Sequence, residues 1–185
     1  GGGFAGSYVA RRLGRRGAGR SVTVGKTFGL EQGEFSGQGA AFRQIGPTKI
    51  AVFTVVNAFG AIVDREGKVV RGHYDPARET RTPLVEGLEA QLPQAAPGNT
   101  TLTLVVTNQR LDRRELRQIG VQVHASLARA IQPFHALVDG DVLYTVSTAE
   151  VENEELTSMN LDIVASELAW DAVLSCADES APSTG

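Results

Sequence analysis

The stretch Ala95-Ala-Pro-Gly-Asn-Thr-Thr-Leu-Thr-Leu-Val-Val-Thr-Asn108 changes character partway along its length. Its first five residues are small and turn-forming, with Pro97 and Gly98 favouring a bend. Beyond them the residues are β-branched or aliphatic, and 102–107 reads as a strand. Two readings meet at the paired hydroxyls Thr100 and Thr101. In one, a loop enters a buried strand. In the other, the peptide bond between Asn99 and Thr100 is made to be cut. A threonine hydroxyl is a poor nucleophile at neutral pH unless a base takes its proton, and this stretch holds no such base. If Thr100 became a chain terminus, its own α-amino group, with an ordinary pKa of about 7.7–8.0, would serve. Cleavage would then create the catalyst. Local spacing by itself favours the loop-then-strand reading.

Upstream, residues 49–56 (Lys-Ile-Ala-Val-Phe-Thr-Val-Val) are almost wholly apolar and predict a strand buried on both faces, ending at Asn57. Residues 61–63 and 68–71 flank Asp64-Arg-Glu-Gly67, a hairpin signal with glycine placed for positive φ. Three prolines between 80 and 97 surround a short predicted helix at 84–92 and mark an exposed linker. Downstream, Asp112 and Glu115 have capping-box spacing. The helix they open carries Ile119, Val123, Leu127 and Ile131 on one stripe and stops before Pro133. A strand at 142–147 follows Asp139-Gly-Asp141. A last helix at 161–176 presents Val164, Leu168, Trp170, Val173 and Leu174, and the polar tail beyond it reads as mobile. Hairpin strands followed by long amphipathic helices predict a layered α+β domain, its helices packed on a largely antiparallel sheet.

The 185 residues suit one domain. Apolar residues at 42% and charged residues at 21% give an ordinary globular balance. A net charge of −3 offers no broad basic surface, and no apolar run approaches the roughly 20 residues that span a bilayer. Neither nucleic acid nor membrane is therefore expected as a partner. Cys176, alone in the sequence, cannot form an internal disulfide, fits a cytoplasmic location and reads as a core residue. The opening Gly-Gly-Gly-Phe-Ala-Gly-Ser-Tyr has neither an initiating methionine nor a signal pattern and looks like the middle of a longer chain. Arg11, Arg12, Arg15, Arg16 and Arg20, interleaved with glycines, read as a solvated connector.

No GxSxG elbow, P-loop, HExxH or paired CxxC is present. His73, His124 and His135 are scattered, and structural or surface roles are expected for them. Asp139 and Asp141 lie two apart. On an extended segment both carboxylates face one side and can converge on a cationic or hydroxyl group, with Gly140 letting the backbone come close. Alone, Asp-Gly-Asp is more often a turn or a loose cation site.

Several blocks in order carry a more specific signal. Gly25-Lys26, Gly37-Gln-Gly-Ala-Ala-Phe42, Val56-Asn57, Val70-Arg-Gly-His-Tyr-Asp75, Gly98-Asn-Thr-Thr101, Val106-Thr-Asn108, Ile131-Gln-Pro-Phe-His135, Asp139-Gly-Asp141 and Ala169-Trp-Asp-Ala-Val173 resemble the nylon-oligomer hydrolases. These are 6-aminohexanoate-oligomer endohydrolases within the DmpA-type aminopeptidase family. The resemblance implies an N-terminal-nucleophile-like αββα sandwich, here lacking the family's amino-terminal portion. It also implies autocleavage that divides the single domain 1–185 into an α part ending at Asn99 and a β part, 100–185, opening on a catalytic Thr100. By position, Asp139 and Asp141 would orient and charge-balance the new terminus and hydroxyl. Lys26 would stabilise ionised neighbours and Asn57 would donate to the oxyanion. No metal or organic cofactor is implied. The implied substrates are linear amides of 6-aminohexanoate oligomers and, by extension, nylon polyamides; the implied assembly is a homo-oligomer, a tetramer of αβ units. An aminopeptidase on short peptides, an acyltransferase and a non-catalytic assembly module are the alternatives.

Overall fold

A computed structural model describes residues 13–94 and 96–177. Arg11, Arg12 and the tail beyond Ala177, for which a connector and a mobile end are expected, lie outside the described residues. The first half of the chain forms β1 (Thr23–Val24), β2 (Glu34–Phe35), β3 (Gln38–Ile45), β4 (Thr48–Asn57), β5 (Ala61–Val63), β6 (Val69–Arg71), β7 (Tyr74–Asp75), β8 (Thr80–Arg81) and helix α1 (Leu84–Ala90). The second half forms β9 (Thr100–Gln109), α2 (Arg113–Ser126), β10 (Ile131–Gln132), β11 (Val142–Val151) and α3 (Ser158–Ser175).

The main sheet has the order β11-β9-β4-β3. It is antiparallel except for β11, which runs parallel to β9. That pair needs a crossover, and α2 supplies it. Along β4, Thr48, Ile50, Val52, Thr54 and Val56 are buried on the face that meets the helices. Ile119 and Val123 of α2 and Leu161, Ala165, Leu168, Ala169, Ala172 and Val173 of α3 close the core from above. Alanines on α3 let it approach β3 closely, and Gly39 completes the fit: a Cβ there would overlap the Ala172 carbonyl oxygen.

The capping box forms as the spacing predicts, with the Glu115 N–H on Asp112 Oδ1 and the Asp112 N–H on Glu115 Oε2, both at 2.8 Å. The hairpin at Gly67 forms too, with φ 83° and the Asp64 carboxylate accepting the N–H groups of Glu66 and Lys68. One strand is new and two expectations are corrected. Residues 38–45 make a full strand that was not expected, because glycine and alanine carry little strand propensity. The stripe of α2 does not run on to Ile131: the helix ends at Ser126, a 3₁₀ turn takes Leu127–Arg129, and Ile131 pairs with Ile62 of β5. Finally, β4 packs on one face only. Phe53, Leu102 and Tyr144 stand exposed on the opposite face and line an apolar hollow of about 490 Å³. No helix among the described residues is long and apolar enough to cross a membrane.

Candidate active site

β4 and β9 end side by side, with Asn57 directly opposite Thr100. Asn99, one residue earlier, bridges to Asp139 and is buried. The Thr100 hydroxyl donates to the Asn99 carbonyl oxygen at 2.5 Å, and the same oxygen accepts the Gly140 N–H at 2.9 Å. The carbonyl ahead of Thr100 is therefore polarised by two donors. Gly140 allows this approach, since a Cβ there would stand 3.1 Å from Thr100 Oγ1. Its N–H was not foreseen as a donor, because a backbone group leaves no mark in residue type.

Lys26 comes to the site from the turn at Gly25, which has φ 75° and lies so close to Gly72 that a Cβ would overlap the Gly72 backbone. Its side chain is buried, and Nζ donates to Asn57 Oδ1 at 3.2 Å. Burial pushes the Lys26 ammonium below its ordinary pKa, while the charge of Asp139 opposes that shift. Asn57 Oδ1 also accepts the Thr23 N–H at 3.1 Å, and its Nδ2 donates to the Gly98 carbonyl at 2.7 Å. Asn57 thus joins the lysine to the chain just before the Asn99–Thr100 bond.

The two aspartates clamp backbone. Asp139 accepts the Phe59 and Ala136 N–H groups, each at 3.0 Å, and Phe59 in turn accepts the Lys26 N–H. Burial raises the Asp139 carboxyl above its usual range and Asp141 adds to the rise; the two N–H groups and Lys26 pull it back. Asp141 Oδ1 accepts the Thr101 N–H at 2.6 Å. Three buried side-chain polar atoms without a hydrogen-bond partner, Asn99 Oδ1, Thr101 Oγ1 and Asp141 Oδ2, sit around this one bond. Buried polar atoms left unpaired together call for an explanation, and a catalytic role is one.

The histidines divide. His73 is buried away from the hydroxyl, with Nε2 2.9 Å from Thr27 Oγ1 and Nδ1 3.2 Å from the Thr82 carbonyl oxygen, and burial pushes its pKa down to about 4. His124 and His135 are not scattered: the path through β10 brings their rings to 4.7 Å, with His135 Nδ1 3.4 Å from Asp141 Oδ2. Sequence spacing could not show this, because the two lie on opposite sides of the turn that ends α2. Cys176 is a core residue, its thiol pushed above the ordinary range by burial. No group of three or more His, Cys, Asp or Glu among the described residues is placed to hold a metal ion.

A mostly antiparallel four-stranded sheet with two helices packed on one face is an arrangement shared with the N-terminal-nucleophile hydrolase fold. The structure of L-aminopeptidase D-Ala-esterase/amidase from Ochrobactrum anthropi, a variant of that fold, matches 94% of this chain and 47% of its own, with TM-score 0.57 and 16% identity. The PH0078 protein from Pyrococcus horikoshii OT3 matches 89% of this chain and 44% of its own, with TM-score 0.60 and 16% identity. The chain belongs to peptidase family S58, whose model matches residues 8–181. It is 44% identical to a putative NylC-analogous protein of Agromyces sp. (strain KY5R), over 87% of this chain and 57% of that one. Against a 6-aminohexanoate-oligomer endohydrolase of Paenarthrobacter ureafaciens it is also 44% identical, over 87% of this chain and 49% of that one. The chain thus spans about half the length of the curated relatives it matches.

Proposed function

We propose that the chain is the catalytic half of an autoprocessed amide hydrolase whose nucleophile is Thr100. The observation that carries the reading is the Asn99 carbonyl oxygen, held between the Thr100 hydroxyl and the Gly140 N–H. The hydroxyl oxygen attacks the Asn99 carbonyl carbon, and the oxygen that becomes negative is the one already facing Gly140. The C–N bond then breaks, the hydroxyl proton ends on the Thr100 nitrogen, and an ester links Asn99 to Thr100 Oγ1. Water hydrolyses the ester, leaving a carboxylate at Asn99 and a free amine and hydroxyl on Thr100. The domain is thereby cut into parts 1–99 and 100–185.

The free amine is the base that the sequence around Thr100 lacked. In turnover it takes the hydroxyl proton as Oγ1 attacks a substrate amide, the substrate amine leaves, and water releases the acyl group. Release of the Asn99 end frees Asn57 Nδ2 from the Gly98 carbonyl, so that it can donate to the substrate oxyanion. Lys26 holds Asn57 in place, and Asp139 and Asp141 offset the charge of the new ammonium. Likeness to the endohydrolases favours linear 6-aminohexanoate oligomers as substrates. Likeness in fold to L-aminopeptidase D-Ala-esterase/amidase favours short peptides as the second reading. Internal against terminal cleavage of a labelled oligomer separates the two.

Intact mass spectrometry tests the mechanism. The native protein gives two fragments meeting at 99/100, while Thr100→Ala stays whole and loses amide hydrolysis by at least about a thousandfold. Turnover retained in Thr100→Ala would remove the mechanism.

A further inference from the structure

Asp141 is a buried acid at the head of β9. Its side chain is 1% exposed. One oxygen takes the Thr101 N–H at 2.6 Å, immediately after the bond that the proposed function cuts, and the other has no hydrogen-bond partner. A buried carboxylate oxygen left bare is costly, and the group facing it is His135 Nδ1 at 3.4 Å. His135 is held there by more than one restraint. Its ring meets His124 edge-on at 4.7 Å and lies 5.8 Å from the Phe134 ring, and its backbone has φ 54°, a region where histidine, asparagine and aspartate are enriched among residues other than glycine. The ring rises from a groove of about 660 Å³ between α2 and β11, so it reaches the buried acid from the solvent side.

We infer that His135 is a positioning residue: its Nδ1, 3.4 Å from Asp141 Oδ2 and not yet hydrogen-bonded to it, closes on that oxygen as a donor, fixes the carboxylate plane on the Thr101 N–H and so holds the head of β9, with Thr100, in reach of the Asn99 carbonyl. The inference rests on the proposed cleavage. Loss of the donor lets the carboxylate turn and the first residues of β9 drift. A misplacement of about 1 Å at a reacting group is enough to slow a reaction by about a hundredfold.

Two substitutions isolate the donor. His135→Asn removes the ring, tolerates the positive φ and keeps an N–H donor near the place of Nδ1. His135→Gly removes the ring and tolerates the same φ but has no side-chain donor. The rate of cleavage at 99/100 after synthesis, followed by denaturing gel, should fall on the order of tenfold to a hundredfold in His135→Gly and return to within about threefold of the native rate in His135→Asn. Equal rates in the two variants overturn the inference. A second readout does not depend on cleavage. In chains that also carry Thr100→Ala, the Thr101 amide proton should resonate downfield with His or Asn at 135 and move upfield with Gly. If cleavage never occurs in the native protein, the proposed function fails while the resonance still tests the contact; an unmoved resonance overturns the positioning role.

Discussion

At the scale of single residues, His73 shows how the fold braces the site from behind. Its Nδ1 lies 3.2 Å from the Thr82 carbonyl oxygen and its Nε2 2.9 Å from the Thr27 hydroxyl oxygen. Thr27 and Lys26 both bond the Phe59 carbonyl, and the Phe59 N–H holds Asp139, so the imidazole supports the link between the lysine and the acid. Burial lowers its pKa from 6.5 to about 4. The unfolded chain therefore binds the proton more readily, and the stability this group contributes is full above about pH 6.5 and is lost as pH falls through 4. The span corresponds to about 3 kcal/mol. Urea unfolding between pH 7 and 4 should show this slope, and His73→Asn, which tolerates the φ of 49°, should lack it. A slope unchanged in the variant refutes the assignment. Of the candidate site, Thr100, Asn99, Lys26, Asn57, Asp139 and Asp141 are proposed from the sequence because ordered blocks of residue types carry them, and the structure places them near one another. Gly140 and Phe59 act through backbone N–H groups, which any residue but proline owns, and the pairing of His135 with Asp141 depends on a chain reversal that no local pattern records.

At the scale of elements, legibility followed the strength of local chemistry. The capping box and the Asp64–Gly67 turn are written in side chains that bond their own backbone, so the start of α2 and the β5–β6 hairpin were expected where they occur. β3 was not, since Gln38-Gly-Ala-Ala becomes a strand through its pairing with β4 and through what α3 demands of it. The small residues there serve contact: Ser175 Oγ takes the Ala40 N–H at 3.0 Å, and Gly39 faces the Ala172 carbonyl. Gly39→Ala should accordingly cost about 2–3 kcal/mol, a fall in Tm of about 4–12 °C, since it forces α3 away from the sheet. The change is unusual in sign, because alanine in a strand is otherwise no worse than glycine. Thermal unfolding measures it, and a loss below about 0.5 kcal/mol means that the α3–β3 spacing is not set by this glycine.

At the scale of the whole molecule, the position of the proposed cut relative to the sheet decides what processing does. The cut lies between β4 and β9 in sequence, yet these strands are adjacent in the sheet and paired through eight residues, from Ile50 opposite Thr107 to Asn57 opposite Thr100. The core crosses the cut as well: Ile50, Val52 and Val56 precede it, while Val105, Ile119, Leu168 and Val173 follow it. Cleavage therefore removes one covalent link and leaves the backbone ladder and the apolar core in place, so the two fragments should remain a single body. Because that body is held by buried apolar contact and strand pairing, added salt should not part them. Thr100 gains a free amine while β9 stays anchored on both sides, by β4 and by β11, and the new nucleophile is held rather than released. Sedimentation of the processed protein should show one species down to nanomolar concentration and across a wide range of salt, with two chains appearing only in denaturant. Dissociation on dilution under native conditions would contradict this. After denaturant is removed, recovery should depend on protein concentration, because a sheet that folds within one chain before cleavage has to assemble from two afterwards.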